Sequence, residues 1–204
     1  MTIRARLLEQ PNVFALFTFL IGVNRRTKSI VAEYVRADST TVVLDVACGR
    51  GNWSKALYPT KYLGIDNNPA YIRYAKNRFG TFGSFICCDV ADIRVHAANL
   101  EPNVVILIGV LHHLSKDQAS SLLDDIHALI GTHGRVITVD PVFTADQGLT
   151  ARLLAASDRG RFVRSIDEHL ALFDQRFSVP IADIRSDWLR IPYTHFVCVG
   201  HKIN

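Results

Sequence analysis

The sequence predicts an α/β three-layer sandwich: a seven-stranded, mostly parallel sheet between helices, closed by a C-terminal antiparallel strand pair. Three observations predict it. Short apolar runs of strand length alternate five times with stretches of helical character. A glycine turn follows the first run, in Val42-Val43-Leu44-Asp45-Val46-Ala47-Cys48-Gly49-Arg50-Gly51-Asn52-Trp53-Ser54. The last two runs, 177–188 and 193–199, have no helix between them, which only an antiparallel pair allows.

Residues 12–37 read as two helices. The first carries Phe14, Phe17, Leu20 and Ile21 at close to helical spacing and ends or bends at Gly22. It is too short to span a bilayer. It is also a poor signal peptide, with Glu9 and Pro11 upstream and no small-x-small site after it. The second starts near Asn24 with Arg25, Arg26 and Lys28 in its first turn, where cations oppose the helix dipole. That local cost points either to an anionic partner for one of them or to side chains that run out to water.

The valine-rich run at 42–47 suits a strand covered on both faces. Gly49 and Gly51 then allow a sharp turn and close approach to a ligand, and a helix begins near Asn52. Residues 61–66 form the second strand, with Asn68 as N-cap and Pro69 as first residue of a helix to Phe79. Residues 82–88 form the third strand. Val104–Gly109 is the most continuously apolar run and is predicted central. Ser115 and Gln118 make a capping box for a helix through Ile130, and a fifth strand at 135–140 is predicted to stop at Pro141. Residues 149–157 look helical, and Ser165 with Glu168 is a second capping box, for a helix to about Arg176.

The formal net charge of +4 is spread along 204 residues without a basic stripe, which argues against a nucleic-acid partner and fits an acidic small molecule or a solvated surface. The cysteines, at 48, 87, 88 and 198, lack metal-ligand spacing, so no metal site is predicted. Reduced thiols of this kind suit a cytoplasmic protein. No repeat or linker divides the chain, and a single domain over 1–204 is expected.

Asp45, Asp66 and Asp89 each end a strand. The carboxyl ends of parallel strands converge on one crevice, so the three acids are candidates for one ligand, the alternative being that each caps the next helix. Asp66 follows Gly49 by about 17 residues, close to the roughly 20 expected of an acid that binds ribose hydroxyls. Ser54 stands where a dinucleotide motif wants its third glycine, and Asp45, just before the turn, would repel a pyrophosphate. A ligand carrying positive charge fits better there.

On these residues the chain resembles the class I S-adenosylmethionine-dependent methyltransferases, with their Rossmann-like sheet, of the small-molecule type that includes the quinone-biosynthesis enzymes. The resemblance covers 42–140 and rests on Leu44–Gly51, Gly64-Ile65-Asp66, Cys88-Asp89-Val90, Val110-Leu111-His112-His113-Leu114 and Gly134-Arg135-Val136-Ile137. It implies S-adenosylmethionine as cofactor. Asp45 then engages the methionine ammonium through water, while the backbone of Ala47, Gly49 and Gly51 passes the methionine part. Asp66 holds the ribose and Asn67 packs beside the adenine. Asp89 accepts from the adenine amino group, the Val90 N–H donates to the ring, and Ile108 and Gly109 form the floor under the sulfonium. The chain departs from the family at Ala47, where glycine is usual and where alanine occupies positive φ poorly.

His113, at the mouth of the expected cleft, is the candidate general base, with packing or capping as the alternative; for His112 the structural role is preferred. Residues 1–38 are expected to form part of an acceptor lid over a core of 39–204. Aromatics at 14, 17 and 19, Arg152, Arg159, Arg161, Arg164, Tyr193 and His195 are candidates for an aromatic or lipophilic small-molecule acceptor with an acidic group. A nicotinamide-dependent reductase and a catalytically silent cofactor-fold binding protein are the alternative functions.

Overall fold

A computed structural model describes residues 23–57, 61–156 and 160–203. The first predicted helix, with Phe14 and Phe17, lies outside them. Among the described residues eight strands form one sheet; in the numbering that follows, its order is β3-β2-β1-β4-β5-β8-β7, with a short β6 pairing with β5 beyond this path. They are β1 (Val42–Val46), β2 (Lys61–Asp66), β3 (Ser84–Cys87), β4 (Val104–Ile108), β5 (Arg135–Phe143), β6 (Arg164–Ser165), β7 (Phe177–Arg185) and β8 (His195–Lys202). β1 to β6 pair in parallel, and β8 runs antiparallel to both β5 and β7.

The apolar runs form strands because both faces of the sheet are buried. Along β4, Val104 and Ile106 point to one side while Val105 and Leu107 point to the other, and none is more than 1% exposed. On one face lie α1 (Val23–Ile30), α2 (Asn52–Leu57) and α3 (Pro69–Phe79), which bury Ile30, Leu57, Ile72 and Ala75. A π-helical turn, Val31–Val35, prolongs α1. The other face is covered by α4 (Ile93–Ala97), α5 (Lys116–Leu129) and the segment from α7 (Ile166–Leu170) to Phe177. α6 (Leu149–Ala156) follows β5. The three layers and the terminal antiparallel pair are as predicted.

Three elements differ from expectation. β5 does not stop at Pro141 but continues to Phe143. β4 pairs with β5 only as far as Val139, so by the alternation of the strand the missing proline N–H falls where β4 has already ended. Pro141 instead sits opposite His195 of β8. The helix opened by Ser165 closes at Leu170 rather than near Arg176, because the chain passes into tighter turns such as Phe173 N–H to Leu170 O, and Gln175 takes φ +66°. β7 ends at Arg185, which frees Trp188 to turn inward.

Trp188 is 1% exposed and pins the N-terminal cover to the sheet. Its ring meets Tyr34 edge-on at 6.1 Å and His195 at 5.5 Å, with the Arg185 guanidinium 4.8 Å above it. Arg185 also bonds Tyr34, Glu33 and Asp187. Trp188→Ala should therefore destabilise the fold by about 3–5 kcal/mol, read as a lower urea midpoint; a change under about 1 kcal/mol would show that the tryptophan is not the plug.

Candidate active site

The site is built at the carboxyl ends of β1, β2 and β4. The chain leaves β1 through alternating left-handed residues: Ala47 at φ +55°, Gly49 at +54° and Gly51 at +74°. Cys48 N–H donates to Ile65 O at 2.8 Å and Gly51 N–H to Cys48 O at 3.0 Å, so the turn folds over the end of β2. A side chain at Gly51 would strike Phe85 at 2.5 Å. At Gly49 an added Cβ meets nothing within 4 Å, leaving backbone that a ligand can approach. Ser54 is buried, and its hydroxyl donates to Gly51 O at 2.7 Å, so the residue in the third-glycine position closes the turn.

Asp66 accepts from Gly49 N–H at 2.9 Å on one carboxylate oxygen and from Asn68 N–H at 2.8 Å on the other. Asn68 in turn caps α3 through Ala70 N–H and Tyr71 N–H, with Pro69 at the first position as expected. Asp89 caps the short 3₁₀ turn Val90–Asp92 through Ala91 N–H at 3.0 Å. Capping and cavity-lining are thus not exclusive at this acid.

Beyond β4 the chain turns at Gly109, φ +72°, whose N–H donates to Val139 O at 2.7 Å. The 3₁₀ turn Leu111–His113 then divides the two histidines. His112 is buried and binds Asp140 twice, through Nδ1 at 2.7 Å and its backbone N–H at 3.2 Å. His113 is exposed on the cavity, its ring centred 4.1 Å from that of His112. The structural reading of His112 and the outward placement of His113 both follow from this turn.

A cavity of about 610 Å³ opens here, within the range of small-molecule sites. Ala47, Asn67, Asp89, Val90, Gly109 and His113 line it; Asp45, Gly49, Gly51, Asp66 and Ile108 are not among its lining residues. One wall was not anticipated: Asp117, Ser121 and Asp125 face in from α5. Their spacing of four puts them on one helix face, a signal available in the sequence but indistinguishable there from a solvated stripe.

Three predicted residues have different surroundings from those expected. Arg164 is buried and donates to the carbonyls of Leu111 at 2.6 Å, Leu114 at 2.7 Å and Phe162 at 3.3 Å. It fastens the His112–His113 turn, and its guanidinium is not presented to an acceptor. Asp45 is 1% exposed and accepts a short hydrogen bond from the Tyr62 hydroxyl. Burial, with a smaller push from the charge of Asp66 and only partly countered by the Tyr62 bond, raises its carboxyl to about 7. Tyr193 lies apart from the cavity, its ring 5.0 Å from that of His195 at the start of β8. Among the described residues no group of side chains could hold a metal ion, and no helix is long and apolar enough to cross a membrane.

Two substitutions test this geometry. A left-handed alanine costs roughly 1–2 kcal/mol, so Ala47→Gly should stabilise the protein by about 0.5–1 kcal/mol after the extra backbone entropy of glycine; a lower thermal midpoint would contradict the strain. The native Asp45 keeps its proton up to about pH 7, whereas the unfolded chain loses it near pH 4. Stability from this group is therefore full below about pH 4 and lost as pH rises to about 7. Asp45→Asn should abolish that loss, gaining up to roughly 4 kcal/mol at pH 8 and nothing at pH 3.5. Parallel urea titrations of both proteins across that range would show a constant difference if Asp45 titrated normally.

Comparison with known proteins places this geometry. Residues 43–134 match the family model described as Methyltransferase domain, which is the span from β1 to the turn before β5. No curated protein matches the sequence. Among solved structures, the magnesium protoporphyrin IX methyltransferase ChlM of Synechocystis PCC 6803 with bound SAH is similar at TM-score 0.68 and 19% identity, over 89% of this chain and 84% of that one. The N-methyltransferase NodS of Bradyrhizobium japonicum WM9 in complex with S-adenosyl-L-homocysteine gives 0.70 and 11%, over 89% and 87%. The pyocyanin biosynthetic protein PhzM gives 0.74 and 16%, over 100% and 62%. At these identities the likeness is one of fold. The matched span carries the glycine turn and the acids Asp45, Asp66 and Asp89, and the chain shares the fold of these methyltransferases.

Proposed function

We propose that the protein transfers a methyl group from S-adenosylmethionine to a small-molecule acceptor, at an O, N or C atom, by direct displacement. The whole chain acts as one domain, with residues 1–38 contributing to an acceptor lid and 39–204 forming the cofactor core. The observation that carries this reading is the left-handed run at Ala47, Gly49 and Gly51 beside a cavity that Asp89, Val90 and Asn67 also line.

The residues present fit the cofactor. Each Asp66 oxygen accepts one backbone N–H, and each keeps a lone pair for a hydroxyl of a vicinal diol. Asp89 uses Oδ1 for Ala91 and has Oδ2 for the adenine amino group, with the Val90 N–H beside it for the ring and Asn67 packing against it. Ala47, Gly49 and Gly51 would pass the methionine part, and Ile108 and Gly109 would lie under the sulfonium. Asp45 would hold the ammonium through water, a role that its neutral form near pH 7 makes dependent on proton loss. Ala47 adopts the φ that the turn needs, which counts against the catalytically silent alternative. Ser54, buried and bonded in the third-glycine position, counts against a pyrophosphate and hence against the reductase.

When bound, the cofactor supplies an electrophilic methyl group on a sulfonium. The protein's work is then alignment and exclusion of water. His113, on the cavity wall, would take the proton from an acceptor O–H or N–H. The His112–Asp140 bond and the Arg164 clamp fix the backbone that carries it. An aromatic or lipophilic acceptor, as in the quinone-biosynthesis enzymes, is supported by the Tyr193, Trp188 and His195 rings gathered where His195 meets Pro141 of β5.

Isothermal titration decides the cofactor: S-adenosylmethionine should bind and NADPH should not, and the converse would overturn the proposal. Once a methyl acceptor is in hand, His113→Ala should lower kcat by roughly 10²–10⁴-fold with cofactor affinity unchanged. Unaltered turnover would remove His113 from the chemistry.

A further inference from the structure

Arg26 of α1 is placed unlike a surface cation. Its NH1 lies 3.4 Å from Nε2 of His195, the residue that opens β8 opposite Pro141. His195 is 2% exposed, and the Trp188 and Tyr193 rings flank it at 5.5 and 5.0 Å. Burial pulls the Arg26 guanidinium below its ordinary value, with the Tyr193 phenol opposing the shift. No carboxylate forms an ion pair with Arg26 among the described residues, and its buried Nε has no hydrogen-bond partner. A half-buried charge with no counter-ion among the described residues is expensive to keep.

The chemistry of the vacant donors defines what fits. A guanidinium only donates, so in this contact His195 Nε2 is the acceptor. Nε with a terminal N–H forms the side-on fork that matches a carboxylate bidentately. The position suits the acceptor rather than the cofactor. β4, β5 and β8 are neighbours in the sheet, so along its carboxyl edge the start of β8 lies roughly 10 Å, two strand spacings, from Gly109, with Arg26 on the α1 face and the α5 wall of the cavity on the other. One or two aromatic rings cover that distance, and Trp188 and Tyr193 supply the apolar sides.

We propose that Arg26 and His195 form a carboxylate-recognition subsite, so that the acceptor is an aromatic monocarboxylate held by its acid end; the inference rests on the methyltransferase reading. The alternative, an arginine that merely packs through its stem, makes a different prediction. 2-Naphthoate and its neutral isostere 2-naphthamide serve as probes, titrated into the full chain with and without saturating S-adenosylhomocysteine. The wild type should bind the carboxylate about tenfold or more tightly than the amide, the scale of a charge-assisted hydrogen-bond pair. In Arg26→Gln the preference should disappear, with S-adenosylhomocysteine affinity unchanged, and Arg26→Lys should restore part of it. Equal binding of the two probes by the wild type, or an undiminished preference in Arg26→Gln, overturns the subsite. The wild-type comparison stands even if a variant fails to fold. Failure of S-adenosylhomocysteine to bind would instead overturn the methyltransferase reading, whatever the probes do.

Discussion

The Asp66 carboxylate is the tie on which the cofactor side of the molecule depends. It joins Gly49, in the turn after β1, to Asn68, which caps α3, and so locks two loops to one strand end. Each bond is charge-assisted and only 9% of the residue is exposed, so each contributes at the upper end of the range for protein hydrogen bonds, about 1.5–3 kcal/mol. That matters because the turn it holds is intrinsically costly: Ala47, Gly49 and Gly51 are all left-handed, and only the glycines reach that region without penalty. The acid that the sequence assigns to a ligand is first a structural clamp, with one lone pair on each oxygen spent on backbone.

A second clamp works on the far side of the crevice. Asp140, 1% exposed, binds the ring and backbone of His112 from below, while Arg164 takes the carbonyls of Leu111 and Leu114. The charges of Asp140 and Arg164 lie in one buried block and oppose each other, so the pair enters the core close to neutral. The effect is to hold one short 3₁₀ turn at both ends. The ring at its third position is then the one presented to solvent and cavity. The adjacent histidines differ in role because one of them is part of the clamp.

What the sequence revealed follows the range of the forces involved. β1, β4 and the capping boxes at Ser115 and Ser165 were legible because apolar runs and caps act over a few residues. Of the three acids read as strand ends, only Asp89 lines the cavity; Asp45 is buried against Tyr62 and Asp66 is bonded to Gly49 and Asn68, local partners that a strand-end rule does not show. Arg164 was misread as an acceptor residue, since nothing local says that carbonyls about fifty residues away need its donors. Arg26 was read only as a cation in an unfavourable first turn, and its neighbour His195 lies 169 positions off. Pro141 misled for a related reason: proline ends a strand only when its N–H is needed, and here the strand that would have used it has already stopped. Polar residues that serve distant backbone leave no periodicity to read.

Asp45 shows how burial alters an argument from charge. Placed just before a phosphate-sized turn, an ionised acid would turn away a pyrophosphate and attract an ammonium group. Yet the carboxyl is shut in with Tyr62 and keeps its proton up to about pH 7. In its neutral form it neither repels nor attracts strongly. A cation arriving near it favours the ionised form, and by linkage the ionised form favours the cation. An anion arriving there favours the proton and pays nothing for repulsion. On the proposed reading, selectivity at this end of the site would be a proton equilibrium rather than a fixed field, with the cation's advantage growing as pH rises through 7. Ser54 does not titrate in this range: its buried hydroxyl is committed to Gly51 O, as part of the turn itself.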